Sequence, residues 1–331
     1  MNHPIPQRTL VVQPDDGVDP VLGLLADATE SLRVKQFTLS EPRLVQGLID
    51  AHRRGVAVRV MLNPQRSSGD RPNDAVFGQL QQTGMAVHWT SPAYVVTHEK
   101  SIVVDDRRAL IATFNLVLKY FTETRDYGVI TTDPVQVAQV AAGFDADWQH
   151  VPFHPDPQAS LLWSVTNARP LMAQFIDQAR HSLDIQHPKF VDATIVERVM
   201  AAQGRGVHVR VLCGGRHGLS DYDVLDTFAS LRLLQRAGIR VHRQKHLKLH
   251  AKLILADDKR ALLGSMNIDR SAFDLRRELG ISFDDEPIVA RLSHIFTHEW
   301  KHSHRYEVPD PLEVEKPADE ELPHDPEFIH E

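Results

Sequence analysis

Short apolar runs alternate with amphipathic stretches along this chain, and the whole series occurs twice in the same order. Leu10 to Gln13 reads as a strand; an amphipathic helix and another strand follow, and a second helix leads into the strand Gly55-Val56-Ala57-Val58-Arg59-Val60. A further helix and strand come next. The run from His98 to Asp105 then turns through charged residues into a partner strand, Ala109 to Asn115. From the strand Leu161 to Val165 onward the series repeats. Ser182-Leu183 stands in the place of Ser31-Leu32, Gly206-Val207-His208-Val209-Arg210-Val211 in that of the first Gly-Val strand, and His250 to Asp257 turns into Ala261 to Asn267. Without gaps, His98 through Trp148 falls on His250 through Trp300, which aligns Phe121 with Phe273, Arg125 with Arg277 and Phe144 with Phe296. The two halves are one unit duplicated.

Helices alternating with strands predict an α/β fold: a duplicated α/β/α sandwich with mixed sheets and pseudo-twofold symmetry. The expected organisation is a first repeat over 1–150, a Pro-rich joint over 151–157, a second repeat over 158–306 and an acidic tail over 307–331. Each half supplies only one His-x-Lys pair, so a shared site at the pseudo-twofold interface is expected, with the halves packed tightly rather than swinging.

Charge changes the picture less than its total suggests. The net charge of −7 resides largely in the stretch from Pro309 to Glu331, rich in Asp, Glu and Pro, which cannot bury enough apolar surface to fold and is expected to be disordered. The remaining body is near neutral and gives no global support to nucleic-acid binding. The single cysteine, Cys213, excludes an intramolecular disulfide and ends an apolar run, where a buried inert thiol is expected. No window has the apolar length of a membrane span, and Met1 to Leu10 lacks the apolar character of a signal peptide, so the expectation is a cytoplasmic protein without a transmembrane segment.

The chemistry lies in the repeat. His98, Lys100, Asp105 and Asn115 recur at identical spacing as His250, Lys252, Asp257 and Asn267. Placed two apart in a strand, His and Lys would leave the same face. Imidazole attacks or exchanges protons near neutral pH, and a Lys point charge suits a phosphoryl oxygen, so two such faces together read as phosphodiester chemistry. Among 19 histidines one pair would mean little; two matched sets mean a site.

The order His-x-Lys-x4-Asp, followed by Gly264-Ser265-Met266-Asn267, resembles the HKD signature of the phospholipase D superfamily, and the text on to Ile268-Asp269-Arg270-Ser271 is similar to bacterial cardiolipin-synthase-like members. The first copy has Ala112-Thr113-Phe114-Asn115 in the equivalent place, keeping a hydroxyl and the Asn. The resemblance covers about Leu10 to Tyr306. It implies a metal-independent phosphodiesterase, without cofactor, that cleaves or transfers the phosphatidyl group of phospholipids through a phosphohistidine, with His98 as nucleophile and His250 as acid. It implies that Lys100, Lys252, Asn115, Asn267 and the hydroxyls of Thr113 and Ser265 hold the phosphate oxygens. Asp126 and Glu278, at matched positions downstream, resemble the family's carboxylate that orients a histidine. Asp105 and Asp257 complete the candidate catalytic set but resemble its structural Asp, a turn and packing residue. A phospholipid substrate implies peripheral contact with the inner membrane face.

Three further patterns carry weaker expectations. His298-Glu299-Trp300-Lys301-His302 matches a zinc-protease helix, but the repeat sets Asp147-Trp148 opposite Glu299-Trp300 and so favours a surface accident on a closing helix. Arg243-Gln244-Lys245-His246-Leu247-Lys248 reads equally as a solvated strand face and as a basic rim. The loops Asn63 to Asn73 and Gly214 to Ser220 suit headgroup recognition or plain turns. Two rival functions stand beside the lipid enzyme: a metal-independent endonuclease on DNA or RNA, and an inactive module binding phosphate or anionic lipid.

Overall fold

The computed structural model describes residues 7–216, 219 and 221–310; the acidic tail beyond Asp310 and part of the Gly214 to Ser220 loop lie outside the described residues. The first half runs β1 (Arg8–Gln13), α1 (Asp19–Ala26), β2 (Ser31–Gln36), α2 (Pro42–Arg53), β3 (Ala57–Leu62), α3 (Asp74–Gln82), β4 (Ala86–Trp89), β5 (Val96–Thr97), β6 (Ser101–Val104), β7 (Arg108–Ala112), α4 (Leu118–Thr122), β8 (Thr124–Thr131) and α5 (Pro134–Gln149). Residues 151–156 carry no regular structure, and a single 3-10 turn, Pro157–Ala159, leads into the second half. That half runs β9 (Leu161–Trp163), α6 (Ala168–Asp177), β10 (Ser182–Gln186), α7 (Ala193–Gly204), β11 (His208–Cys213), α8 (Asp221–Arg236), β12 (Arg240–Arg243), β13 (Lys248–Leu249), β14 (Leu253–Ala256), β15 (Arg260–Gly264), α9 (Arg270–Asp274), β16 (Arg276–Arg277), β17 (Leu279–Phe283), α10 (Glu286–Lys301) and β18 (His304–Arg305).

The duplication is visible in the smallest details. Glu41 and Asp192 cap the corresponding helices α2 and α7, accepting the backbone N–H of Leu44 at 2.9 Å and of Ile195 at 3.1 Å, which satisfies donors a helix start leaves open. One sheet is ordered β1-β8-β7-β6-β2-β3-β4 and the other β9-β17-β15-β14-β10-β11-β12 with β18 added at its edge. In each, the β2-β3-β4 set or its counterpart is parallel and the rest antiparallel.

Three apolar cores fix the layering. α1, α2 and α3 cover one face of the first sheet, and α6, α7 and α8 the matching face of the second. The two inner faces meet around a third core, where Val12, Ile111 and Val129 of one half join Trp163, Leu263 and Ile281 of the other, together with residues of the closing helices α5 and α10. A domain-like apolar interface of this kind holds the halves as one unit. Short strands add a second bond. β13 of the second half pairs in parallel with Thr124–Arg125 of β8 in the first, and β5 of the first half pairs with β16 of the second.

Candidate active site

The motif histidines are delivered by these crossing strands. Sequence pattern predicts one continuous strand from His98 to Asp105, but the strand is broken: β5 ends at Thr97, His98 to Lys100 are irregular, and β6 starts at Ser101. The second copy breaks at the same place, between β13 and β14. The cause is that the backbone changes sheets here. The N–H groups of His98 and Glu99 donate to Arg277 O at 2.8 and 2.9 Å, and those of His250 and Ala251 to Arg125 O at 3.3 and 2.9 Å. Each imidazole is therefore held by the backbone of the opposite half.

The carboxylates follow the same crossing. His98 Nδ1 lies 3.0 and 3.1 Å from the two oxygens of Glu278, and His250 Nδ1 lies 2.7 Å from Asp126 Oδ1. Neither histidine uses the carboxylate of its own half. Lys252 Nζ, which can only donate, stands 2.8 Å from His250 Nε2, so that nitrogen is the acceptor and the Nδ1 proton goes to Asp126. Lys100 Nζ and Lys252 Nζ also donate to the carbonyls of His98 and His250, at 2.7 and 2.8 Å. Asn115 and Asn267 are buried, and Asn267 Oδ1 has no hydrogen-bond partner among the described residues. The edge of Phe37 meets the His98 ring at 4.9 Å, and Tyr120 lies 4.7 Å from the His250 ring.

Electrostatics distinguish the two pairs. His98 and Glu278 are wholly buried, and that burial pushes the Glu278 carboxyl up to about 8, against the pull of Lys100 and Arg276. Asp126 has close hydroxyl donors instead: Thr113 Oγ1 at 2.5 Å and Thr124 Oγ1 at 2.6 Å. Position for position in the repeat, Thr124 is replaced by Arg276 in the second half.

Four expected site residues need correction. Thr113 Oγ1 is engaged by Asp126 and by the Tyr127 N–H at 2.9 Å, and Ser265 Oγ bonds both the Leu279 N–H at 3.0 Å and, at 3.3 Å, its carbonyl. Both hydroxyls fasten the strands that carry the carboxylates. Asp105 and Asp257 leave the catalytic set altogether. Each is the first residue of a three-residue hairpin loop, 105–107 and 257–259, with positive φ, 52° and 59° respectively, a conformation that Asp tolerates. Asp105 accepts the N–H groups of Thr29, Glu30 and Ser31 at 2.8–3.0 Å, and Asp257 those of Arg180, His181 and Ser182 at 2.6–3.0 Å. At roughly 3.3 Å per residue they lie a full strand length from the histidines.

Other groups around the site were not singled out from sequence. Arg277, whose carbonyl receives His98, donates from Nε to Asp147 at 2.9 Å inside a buried cluster where Lys35 also bridges Asp147 at 2.7 Å and Glu99 at 2.9 Å. Arg125, whose carbonyl receives His250, donates to Glu299 at 2.5 Å, and Glu299 also accepts from Gln186. The signal was present: Arg125 aligns with Arg277 and Asp147-Trp148 with Glu299-Trp300. Glu299 is thus an interface anchor and not the base of a zinc helix. Among the described residues no group of His, Cys, Asp or Glu is arranged to hold a metal ion.

The family described as "Cardiolipin synthase, PLD-like domain" matches the chain twice, over residues 21–148 and 172–300. The chain is 27% identical to a cardiolipin synthase A of Pseudomonas putida over 92% of its own length and 70% of that protein, and 23% identical to cardiolipin synthase B of Salmonella typhi over 84% and 76%. Among solved structures, phosphatidylserine synthase of Haemophilus influenzae has the same fold at a TM-score of 0.72 with 13% identity, covering 94% of this chain and 89% of that one. Polyphosphate kinase of Porphyromonas gingivalis also shares the fold, with a TM-score of 0.70 and 16% identity; the alignment covers 89% of this chain but only 47% of that one.

Proposed function

The chain belongs to the family of cardiolipin synthase, PLD-like domains, and from that premise we propose that this phospholipase D-like enzyme cleaves or transfers the phosphatidyl group of phospholipids in two displacements at one composite site. The observation that carries the reading is the pair of His–carboxylate contacts crossing between the halves, which supports one composite site shared by the two motifs.

In the first displacement His98 Nε2 attacks phosphorus, the bond from phosphorus to the leaving alcohol breaks, and protonated His250 supplies the proton. Protonation of His250 Nε2 opens its contact with Lys252 and frees that ammonium for a phosphoryl oxygen, beside Lys100 and the two Asn side chains. In the second, His250 takes a proton from water or an alcohol, whose oxygen displaces His98. His98 is favoured as nucleophile because its imidazole becomes cationic on phosphorylation. Both Glu278 oxygens lie within 3.1 Å of His98 Nδ1, whereas one Asp126 oxygen meets His250 Nδ1, so a cation on His98 faces the more fully engaged carboxylate.

Apolar residues favour lipid over nucleic acid as substrate. Val95 and Leu275, 73% and 51% exposed, are joined by a backbone hydrogen bond of 3.0 Å and directly precede the strand pair that delivers His98 and Glu278. Such a lip suits peripheral contact with a bilayer. No helix among the described residues is long and apolar enough to cross one.

The test is mass-spectrometric product analysis with mixed phosphatidylcholine and phosphatidylglycerol vesicles, with chelator and added glycerol, beside His98→Asn. Phosphatidic acid or exchanged phosphatidyl products that require His98 are expected. Absence of lipid turnover together with cleavage of DNA or RNA would overturn the lipid reading.

A further inference from the structure

The two sheets end differently. On the first, the outer strand β4 carries no arginine or lysine. On the second, the matching strand β12 reads Arg240-Val241-His242-Arg243 and is joined by β18, His304–Arg305. Lys301 closes α10 just before β18, and Lys245 follows β12 on the way to His250. Arg240, Arg243, Lys245, Lys301 and Arg305 are all exposed, and none forms an ion pair with a described residue. Their field is felt at His242, whose imidazole is held below its ordinary value by burial and then by Arg240, His304 and Arg305. A body that is near neutral in total thus concentrates positive charge along one edge.

The described chain ends beside that edge. After β18, the Tyr306 N–H donates to Val241 O at 3.0 Å, and Gln235 Nε2 donates to Tyr306 O at 2.7 Å. Arg232 then donates to Val308 O at 3.2 Å and pairs with Asp310 at 3.1 Å. The chain therefore follows α8 from its last turn back toward its first. Because β11 and β12 are parallel, α8, which follows β11, starts at the end of the sheet where β12 finishes with Arg243. The loop after β11 touches that residue: a Cβ on Gly215 would lie 2.8 Å from the Arg243 side chain. From Arg232 to the start of α8 is about 16 Å along a helix axis. Pro311 to Glu331 can span about 70 Å when extended, and it holds eight acidic residues against one lysine.

We propose that the acidic segment Pro311 to Glu331 docks in cis on this basic edge. Charge complementarity, the place where the described chain ends and the reach of the remainder favour this occupant over the body of a second copy, which is near neutral and offers no matching charge. Docked there, the segment withholds the edge from other polyanions, an anionic bilayer among them, and the edge is released where lipid charge displaces it. Docking does not depend on the reaction; its consequence for membrane contact rests on the lipid reading.

The test is zero-length carbodiimide cross-linking of the full chain at low salt, in an equal mixture of isotopically light and heavy protein, read by mass spectrometry. Lys248 and Glu123, 3.0 Å apart, supply the internal standard. Lys245 or Lys301 should link to carboxylates between Glu313 and Glu331 within one chain. Absence of such links while the standard forms, or links only between a light and a heavy chain, overturns the proposal. Cosedimentation with phosphatidylglycerol vesicles at low salt measures the consequence. A full-chain variant carrying Glu313→Gln, Glu315→Gln, Asp319→Asn, Glu320→Gln and Glu321→Gln should bind about tenfold more tightly than the natural protein, and adding Arg243→Gln and Lys245→Gln should cancel the gain. A gain that survives those two substitutions overturns the edge as the docking place, and an unchanged affinity overturns the withholding. Intrachain links in a protein that binds no vesicle support docking and count against the lipid reading alone.

Discussion

The His98 end and the His250 end of the site share a backbone plan and differ in their electrostatics. At the His98 end a wholly buried Glu278 is flanked by Arg276, with Asp269 and Lys189 paired nearby at 2.9 Å; at the His250 end Asp126 takes two threonine hydroxyls. One end is tuned by ions and the other by neutral donors. Even the packing diverges. A Cβ added at Gly264 would collide with Gly280 and lie 2.5 Å from Leu279 O, whereas Ala112 stands at that place in the first half opposite Gly128. Duplication supplies two identical imidazoles, but a two-step transfer needs one nucleophile and one acid. The asymmetry of neighbours is what can tell them apart.

The sharpest way to break this comparison is to remove each histidine. Steady-state turnover should fall by about 10³-fold in both His98→Asn and His250→Asn. With bis(p-nitrophenyl) phosphate, whose leaving group needs no acid, His250→Asn should still release one equivalent of nitrophenol in a rapid burst while His98→Asn releases none. A burst from the other variant would exchange the two roles.

Next in size is the carboxylate contrast. Glu278→Gln should lower kcat by about 10²-fold with little change in KM, and Thr113→Val, which loosens only one donor to Asp126, by about tenfold. The pH dependence of stability sharpens it. The folded Glu278 carboxyl is raised to about 8, so between the ordinary carboxyl range and pH 8 the native state holds a proton that the unfolded chain has released, and stability falls as pH rises through that window. Denaturant midpoints measured at pH 5, 6.5 and 8 should therefore decline less in Glu278→Gln than in the natural protein. Parallel declines would show that the carboxyl is not the group responsible.

Smaller effects test the packing. Gly264→Ala should cost about 3 kcal/mol of stability from the backbone collision, and Ala112→Gly no more than about 1 kcal/mol, both measured by chemical unfolding. The turn carboxylates should matter least. Asp105→Ala should cost about 1 kcal/mol through lost backbone hydrogen bonds and leave kcat unchanged. Those backbone bonds hold the Asp105 carboxyl down at about 2 despite partial burial, so its contribution is present above the unfolded value and is lost as pH falls toward 2. A drop in kcat for Asp105→Ala would return it to the site.

The duplicated fold was legible because a repeat aligns with itself, so that Val56 to Val60 and Val207 to Val211 identify the same strand twice. The histidines, lysines and carboxylates were legible for the same reason. The broken strand was not: the apolar run after Lys100 reads smoothly into the motif, and nothing local says that the backbone changes sheets at His98. Nor could spacing reveal that Glu278 serves His98, because each carboxylate follows the histidine of its own half at the same interval and nothing in that interval points across the pseudo-twofold axis. Thr113 and Ser265 misled because a hydroxyl next to a phosphate site looks the same in sequence whether it faces the ligand or its own sheet.

The crossed pairs also bear on inheritance. After a duplication, one copy is ordinarily free to accumulate changes while the other preserves the original role. Here each half holds its partner's histidine with its own carboxylate and its own backbone carbonyl, so a lesion in either copy disables both imidazoles' surroundings at once. Selection acts on the two halves together, so both histidines and both lysines are kept while positions around them, such as 124 and 276, differ.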